Sequence, residues 1–311
     1  MIRISITREH ENVLQVIYSY YELTRPRIIP LLLMIAAASM WIASKGMVNP
    51  MLLLITLTSI TLGVASAQTL NAIYDRDIDY QMERTRHLPI PSGRVQPVHA
   101  LIFAIILATL SFYLLATFVN FLSAILVIFG IFFYVVIYTH FLKRNTSMNV
   151  VIGGGAGAIP ALVAWAAVTG TLSWTAWWIF CIVVLWTPPH FWSSALVLRD
   201  DYAKVGIPIL PVVSGSVETA RQIFIYTVLL ILSTFFMYDP LGMTDVFYIC
   251  GAFFLGAIFI QKAWVVLENP DNHKAANNLF SYSIFYMILL CIFMVIDSLP
   301  ITHQIIKLIS S

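Results

Sequence analysis

Residues 51–86 read MLLLITLTSITLGVASAQTLNAIYDRDIDYQMERTR, an apolar run that passes directly into four carboxylates and three arginines. A helix needs roughly 20 apolar residues to cross the hydrocarbon core of a bilayer, and residues 51–74 supply them. If that helix carries on through the polar residues, Asn71, Asp75 and Asp79 recur every four residues and share one face. Two carboxylates and an amide are oxygen ligands for a hard cation such as Mg2+, which completes its shell from substrate phosphate. Arg76, Arg84 and Arg86 alongside are suited to the rest of a phosphate's charge. Asp77 points to the opposite face, so a surface pairing with Arg76 or Arg84 is an equal reading of it.

The rest of the chain repeats the apolar half of this pattern. With 60% hydrophobic residues, 10% charged residues and a mean hydropathy of +0.87, the composition lies far outside that of soluble domains. Runs long enough to span a membrane fall near 28–44, 51–74, 98–118, 122–139, 150–169, 174–197, 222–240, 245–266 and 279–298. The expected fold is therefore all-α, a polytopic membrane protein of nine transmembrane helices. Residues 1–24 precede it as an amphipathic cytoplasmic segment with Val13, Leu14, Ile17 and Tyr21 on one stripe, the membrane domain covers 25–298, and 299–311 form a tail.

Of the 17 Lys and Arg residues, only Lys45 and Lys307 fall on the side opposite the acidic stretch. The positive-inside rule then puts the amino terminus and the charged loops in the cytoplasm and the carboxyl terminus outside. The few, loop-bound basic residues exclude a nucleic-acid partner. Cys181, Cys250 and Cys291 stand singly in apolar runs without metal-ligand spacing and read as structural thiols. The polar first thirty residues form no cleavable signal, and without an Arg-rich, acid-poor leader the expected location is a bacterial plasma (inner) membrane.

Three further stretches carry chemistry. Lys143 and Arg144, after the fourth span, are placed to neutralise a diphosphate, although basic residues there also serve as plain interface anchors. Gly153–Gly155 and Gly157 have neither the preceding strand nor the following Lys-Ser/Thr of a nucleotide loop, so close helix packing is the stronger reading. In the sixth span, Pro188 and Pro189 interrupt the backbone ladder next to His190, an intramembrane ionisable group that would suit a porphyrin contact or a bond to a neighbouring helix. Arg199, Asp200, Asp201 and Lys204 follow as a second acidic and basic cluster that mirrors the first.

NAIYDRDIDYQMERTR, YTHFLKRNTSMNVVIGGGAGAIPALVAWAAVTG and WTPPHFWSSALVLRDDYAKVGIPILPVVSG together resemble the protohaem IX farnesyltransferases, or haem O synthases, among the intramembrane prenyltransferases. The likeness runs from about Leu23 to the ninth span. The first motif is common to the wider superfamily, and the PPHFW and DDYAKVGIPILPVV segments mark the haem branch. It implies a nine-helix bundle around a central cavity, farnesyl diphosphate as donor, haem b as acceptor, and Mg2+ at Asn71, Asp75 and Asp79. Asp75, Asp79, Lys143 and Lys204 would then act on the departing diphosphate. Asn71, Arg76, Arg84, Arg86, Arg144, Arg199, Asp200 and Asp201 would bind substrate, and His190 would orient the haem. A haem-modifying oxidase or terminal-oxidase assembly is the downstream partner such a product would serve. Where the superfamily carries a second DxxxD pair, counting four residues on from Asp200 gives Lys204, so Lys204 would supply charge that a second ion supplies elsewhere.

Two rival readings remain at the level of sequence. The same fold would suit an aromatic or chlorin acceptor. A transporter would use His190 and the broken helix as its substrate site, but transporters concentrate charge near the bilayer midplane, and here the charges gather at one face.

Overall fold

The computed structural model describes residues 2–237 and 246–299, with side chains over 13–237 and 247–299. Every regular element among the described residues is a helix: α1 (Ile2–Leu23), α2 (Ile29–Ala43), α3 (Pro50–Tyr74), α4 (Arg76–Gln81), α5 (Pro97–Phe118), α6 (Phe121–Phe132), α7 (Asn149–Thr169), α8 (Trp174–Val197), α9 (Arg199–Lys204), α10 (Leu210–Val213), α11 (Gly215–Phe235), α12 (Val246–Glu268) and α13 (His273–Asp297). A π-helical segment, Phe133–Leu142, continues α6.

Each long helix packs on the next, and α13 returns to α2, so nine helices among the described residues close into a ring: α2, α3, α5, α6, α7, α8, α11, α12 and α13. Among the described residues eight of these have the length and apolarity of a span, counting α6 through Leu142. The exception is α2. Its 15 residues reach only about 22 Å at 1.5 Å per residue, short of a ~30 Å hydrocarbon core, because the chain turns at Arg25–Ile28 before the helix starts. α13 begins six residues earlier than the sequence run suggests because the Asn272 side chain caps it, accepting from the Ala275 amide at 3.1 Å. α11 begins at Gly215, seven residues earlier than expected, after a turn in which Gly215 adopts φ +80°. The expected tail lies, from residue 300 onward, outside the described residues.

Helix starts follow local chemistry. Asn49 accepts from the amides of Met51 and Leu52 ahead of Pro50, and Asn120 accepts from Ser123. Inside the ring, where apolar association gives no advantage over lipid, small polar side chains bond across helices. Ser39 donates to the Ala161 carbonyl, Ser66 to Ala104 and Ser111 to Ser59, at 2.6–2.8 Å. α7 is the most enclosed span and α5 the least. On α1, residues 13–18 and Tyr21 are all exposed, the apolar Val13, Leu14 and Ile17 among them.

Candidate active site

α3 stops at Tyr74, and Asp75 stands at the junction with α4, with φ −86° and ψ 4°. The helical path is bent without being lost: the Asp75 amide donates to the Asn71 carbonyl and the Asp79 amide to the Asp75 carbonyl. Asn71, Asp75 and Asp79 therefore stay on one face as the spacing predicts, and all three are buried. α4 is held in this pose by Ile78 and Met82, which pack on Ala195, Ile207 and Ile209.

The facing wall is the π-helical segment. Thr139 Oγ1 donates its single proton to the Tyr134 carbonyl at 2.9 Å, so it accepts from Asn71 Nδ2 at 3.1 Å. The same Asn71 amide group donates to Asp75 Oδ2 at 2.8 Å. This pins the amide and leaves Asn71 Oδ1 without a donor. Asp75 Oδ1 and Asp79 Oδ2 are likewise buried without a hydrogen bond.

Three cations surround these oxygens. Lys143 Nζ pairs with Asp75 Oδ2, Arg144 reaches Asp75 Oδ1 at 3.9 Å, and Arg25 reaches Asp79 Oδ2 at 3.6 Å. Burial pushes the Asp79 carboxyl above its usual range; Arg25 opposes that shift, and the neighbouring Asp75 charge reinforces it. Among the described residues no three Asp, Glu, His or Cys side chains form a metal-ligand group. Mg2+, however, is held by one or two carboxylates plus substrate oxygens. The unsatisfied oxygens of Asn71, Asp75 and Asp79 fit that donor set.

Next to this cluster, inside the ring, lies a cavity of about 460 Å³. Arg27, Gln68, Tyr134 and Tyr138 line it, with Gln68 accepting from the Tyr134 hydroxyl at 3.3 Å. Its walls are otherwise mainly apolar and include Trp186, His190 and Phe280. The glycines of α7 divide their roles. A Cβ at Gly153 would press into the Tyr138 ring, whereas one at Gly157 meets nothing within 4 Å and would project into open space. Close packing, the stronger sequence reading, holds at Gly153 but not at Gly157.

One expectation needs correction. Asp77 pairs with Arg144, not with Arg76 or Arg84, through two bonds of 2.7 and 2.8 Å. The Arg144 guanidinium holds the Asp77 carboxyl down at about 2. Arg76, Arg84 and Arg86 are exposed and make no ion pair among the described residues. Arg199 and Asp200 are also exposed, and among the described residues Lys204 reaches only Asp201, at 3.5 Å. The second cluster therefore does not close on the first. Its segment contributes instead through Ile207 and Ile209, which support α4. A basic residue at a span boundary serves as an interface anchor as readily as a ligand contact, and the structure brings Arg25 to Asp79 from a left-handed backbone, φ +48°. Tyr134, one aromatic in a long apolar run, carries no sequence signal for its place in the cavity wall.

Comparison with known proteins extends this picture. The model of the UbiA prenyltransferase family matches residues 31–289. Protoheme IX farnesyltransferase of Trichormus variabilis is 61% identical over 99% of this chain and 97% of its own length, and that of Nostoc sp. is 60% identical over the same shares. Among solved structures, a digeranylgeranylglyceryl phosphate synthase superposes with a TM-score of 0.75 at 18% identity, covering 91% of this chain and 99% of that one. A UbiA homolog from Archaeoglobus fulgidus bound to GPP and Mg2+ superposes with a TM-score of 0.62 at 14% identity, covering 89% and 99%. At those identities the structures speak for the fold alone. Identity over nearly full length carries the relationship, and the chain belongs to the UbiA prenyltransferase family, in its protohaem IX farnesyltransferase branch.

Proposed function

We propose that the chain transfers the farnesyl group of farnesyl diphosphate to a vinyl group of haem b, with addition of water, giving haem O and diphosphate. The observation that carries this reading is the trio of unsatisfied buried oxygens on Asn71, Asp75 and Asp79, set among Lys143, Arg144 and Arg25 and next to an apolar cavity. Such a site takes an amphiphile with a charged head and a long apolar tail.

Asn71, Asp75 and Asp79 would hold Mg2+, which when bound neutralises the diphosphate. Lys143 and Arg144 stabilise the negative charge that grows on the leaving group, the main electrostatic contribution of the chain itself. The allylic C–O bond breaks and its electron pair goes to diphosphate. The vinyl π pair forms the new C–C bond, water oxygen adds to the cation left beside the macrocycle, and one proton departs. Tyr134 and Tyr138, stacked with centroids 5.4 Å apart, offer π faces to a passing cation, and the apolar walls keep water from it until the C–C bond has formed.

The distribution of basic residues supports a cytoplasmic position for this end of the bundle, and we assign the chain to the bacterial plasma membrane. A haem-modifying oxidase or terminal-oxidase assembly is the consumer that haem O requires.

Membranes containing the protein, given farnesyl diphosphate and Mg2+ with either haem b or 4-hydroxybenzoate, should yield a product of the mass of haem O and no prenylated benzoate. The opposite pattern would overturn the acceptor. Asp75→Ala should lower turnover by about a hundredfold or more, the scale of losing a principal electrostatic group, and should keep the thermal transition. Undiminished haem O from that variant would refute the role of the acidic face.

A further inference from the structure

We infer that Ile60 and Val127, with Val163, act as a ruler for the donor: they close the cavity three isoprene units below the acidic face and so fix the length of prenyl chain the site accepts. This rests on a prenyl diphosphate being the donor.

The cavity is not equally deep on all sides. Along α8 and α13 its lining goes no deeper than Trp186 and Ile284. Each is eleven residues from the helix end on the side of the acidic face, or ~16 Å at 1.5 Å per residue. Along α3 and α7 the lining continues to Ile60 and Val163, each fourteen residues in, or ~21 Å. A long apolar tail therefore finds its room on the α3 and α7 side.

On that side the bottom is shut. Val127 Cγ2 lies 2.5 Å from where a Cβ of Gly63 would stand, so the Val127 side chain presses on the α3 backbone and bridges α6 to α3. Ile60 and Val163 are themselves buried. One turn beyond Val127, Ser123 and Ala124 are wholly buried. There α6 is tied to α7: Ser123 Oγ donates to the Val163 carbonyl at 3.2 Å, and Asn120 Nδ2 donates to the Ala166 carbonyl at 2.7 Å. Side chains packed at interior density close the floor.

The depth matches a count of isoprene units. Ile60 is eleven residues from Asn71 on the same helix, or ~16 Å below it. An extended isoprene unit, four carbon–carbon bonds of ~1.5 Å in zigzag, advances ~5 Å. Three units, ~15 Å, reach from the level of Asn71 to the floor, and a fourth would have to pass through Ile60 and Val127. Ile60→Ala removes three carbons and Val127→Ala two, together the five of one isoprene unit.

The test reads donor length in two ways on the purified full chain in detergent. One is turnover and product mass with haem b, Mg2+ and either farnesyl or geranylgeranyl diphosphate. The other is thermal stabilisation by the unreactive thiolodiphosphate of each chain. The parent should prefer the farnesyl donor in kcat/KM by about a hundredfold, the scale on which pocket size discriminates. Ile60→Ala and Val127→Ala should each shift that ratio towards geranylgeranyl by about tenfold, and the double variant further, with a product heavier by one isoprene unit. Leu115→Ala, in the same buried cluster but away from the cavity wall, should lower the melting temperature and leave the ratio unchanged. A parent that takes both donors equally, single variants that melt cooperatively with the parent's ratio, or an equal shift in Leu115→Ala would overturn the ruler. Farnesyl-selective stabilisation without haem O would overturn the haem acceptor and leave the ruler standing. No stabilisation by either analogue would overturn both.

Discussion

Gly153 and Gly157 are one helical turn apart on α7, yet a methyl group should have opposite consequences at the two. At Gly153 a Cβ would lie well inside van der Waals contact with the Tyr138 ring, which stacks on Tyr134, whose hydroxyl in turn holds Gln68. The ring cannot yield without disturbing that stack, so Gly153→Ala should cost ~1–3 kcal/mol, the usual range for overpacking. At Gly157 the added atom meets nothing within 4 Å. Gly157→Ala should leave stability unchanged or raise it by up to ~1 kcal/mol through helix propensity. Gly157→Leu puts four carbons into the same space; at roughly 30 Å³ each, about the size of a water, they would take on the order of a quarter of the 460 Å³ cavity. Thermal unfolding in detergent and haem O formation measured by mass spectrometry should therefore separate the two sites. Gly153→Ala should lower the melting temperature, and Gly157→Leu should keep it while turnover falls by tenfold or more, a loss of about 1.4 kcal/mol or more in transition-state stabilisation. A Gly157→Leu protein that melts and turns over like the parent would show that substrate does not occupy this cavity.

Asp79→Asn removes a buried carboxylate that desolvation and Asp75 both disfavour, and Arg25, 30% exposed, can return to water. The variant should melt higher than the parent in the absence of Mg2+, lose the stabilisation Mg2+ gives with diphosphate, and turn over poorly; a lower melting point in metal-free buffer would contradict the account. Asp77→Asn breaks the bonds to Arg144, but the pair is exposed, 53% on the Asp77 side, so stability should change by no more than ~1 kcal/mol. Because the folded Asp77 carboxyl titrates near 2 against an ordinary 3.8, its contribution is complete above about pH 4 and disappears as pH falls towards 2, and chemical denaturation across that window should show the parent, not the variant, losing the increment. Arg94 bonds Ser19, Glu22 and the His87 carbonyl at 2.7–3.2 Å, so Arg94→Ala should loosen the end of α1 and speed limited proteolysis near residues 82–96, with the main thermal transition nearly unmoved.

What the sequence made legible, and what it did not, divides along the range of the forces involved. Apolar length and helical spacing act within one element, and they sufficed for the succession of spanning helices and for the shared face of Asn71, Asp75 and Asp79. The remainder depends on long-range geometry. Arg25 and Lys143 are both basic residues at a membrane boundary, indistinguishable in type from Arg84 or Lys204, and only the turn with φ +48° and the π-helical segment select the first pair. A π-helical stretch has no reliable local signature, yet its wider turn is what brings Thr139, Lys143 and Arg144 to the acidic face from a single segment. The second cluster is the complementary case. Its charges drew the eye in the sequence, but charges at a helix end are readily solvated, and Lys204 remains 74% exposed on its side chain. The apolar residues just after it do the positioning instead: Ile207 and Ile209, both buried, seat α4 and so hold Asp79 inward. The acidic face is thus supported from two directions by segments whose importance lies in packing and backbone shape, and substitutions at Ile207 or Ile209 should reach the chemistry through Asp79 without touching a charge.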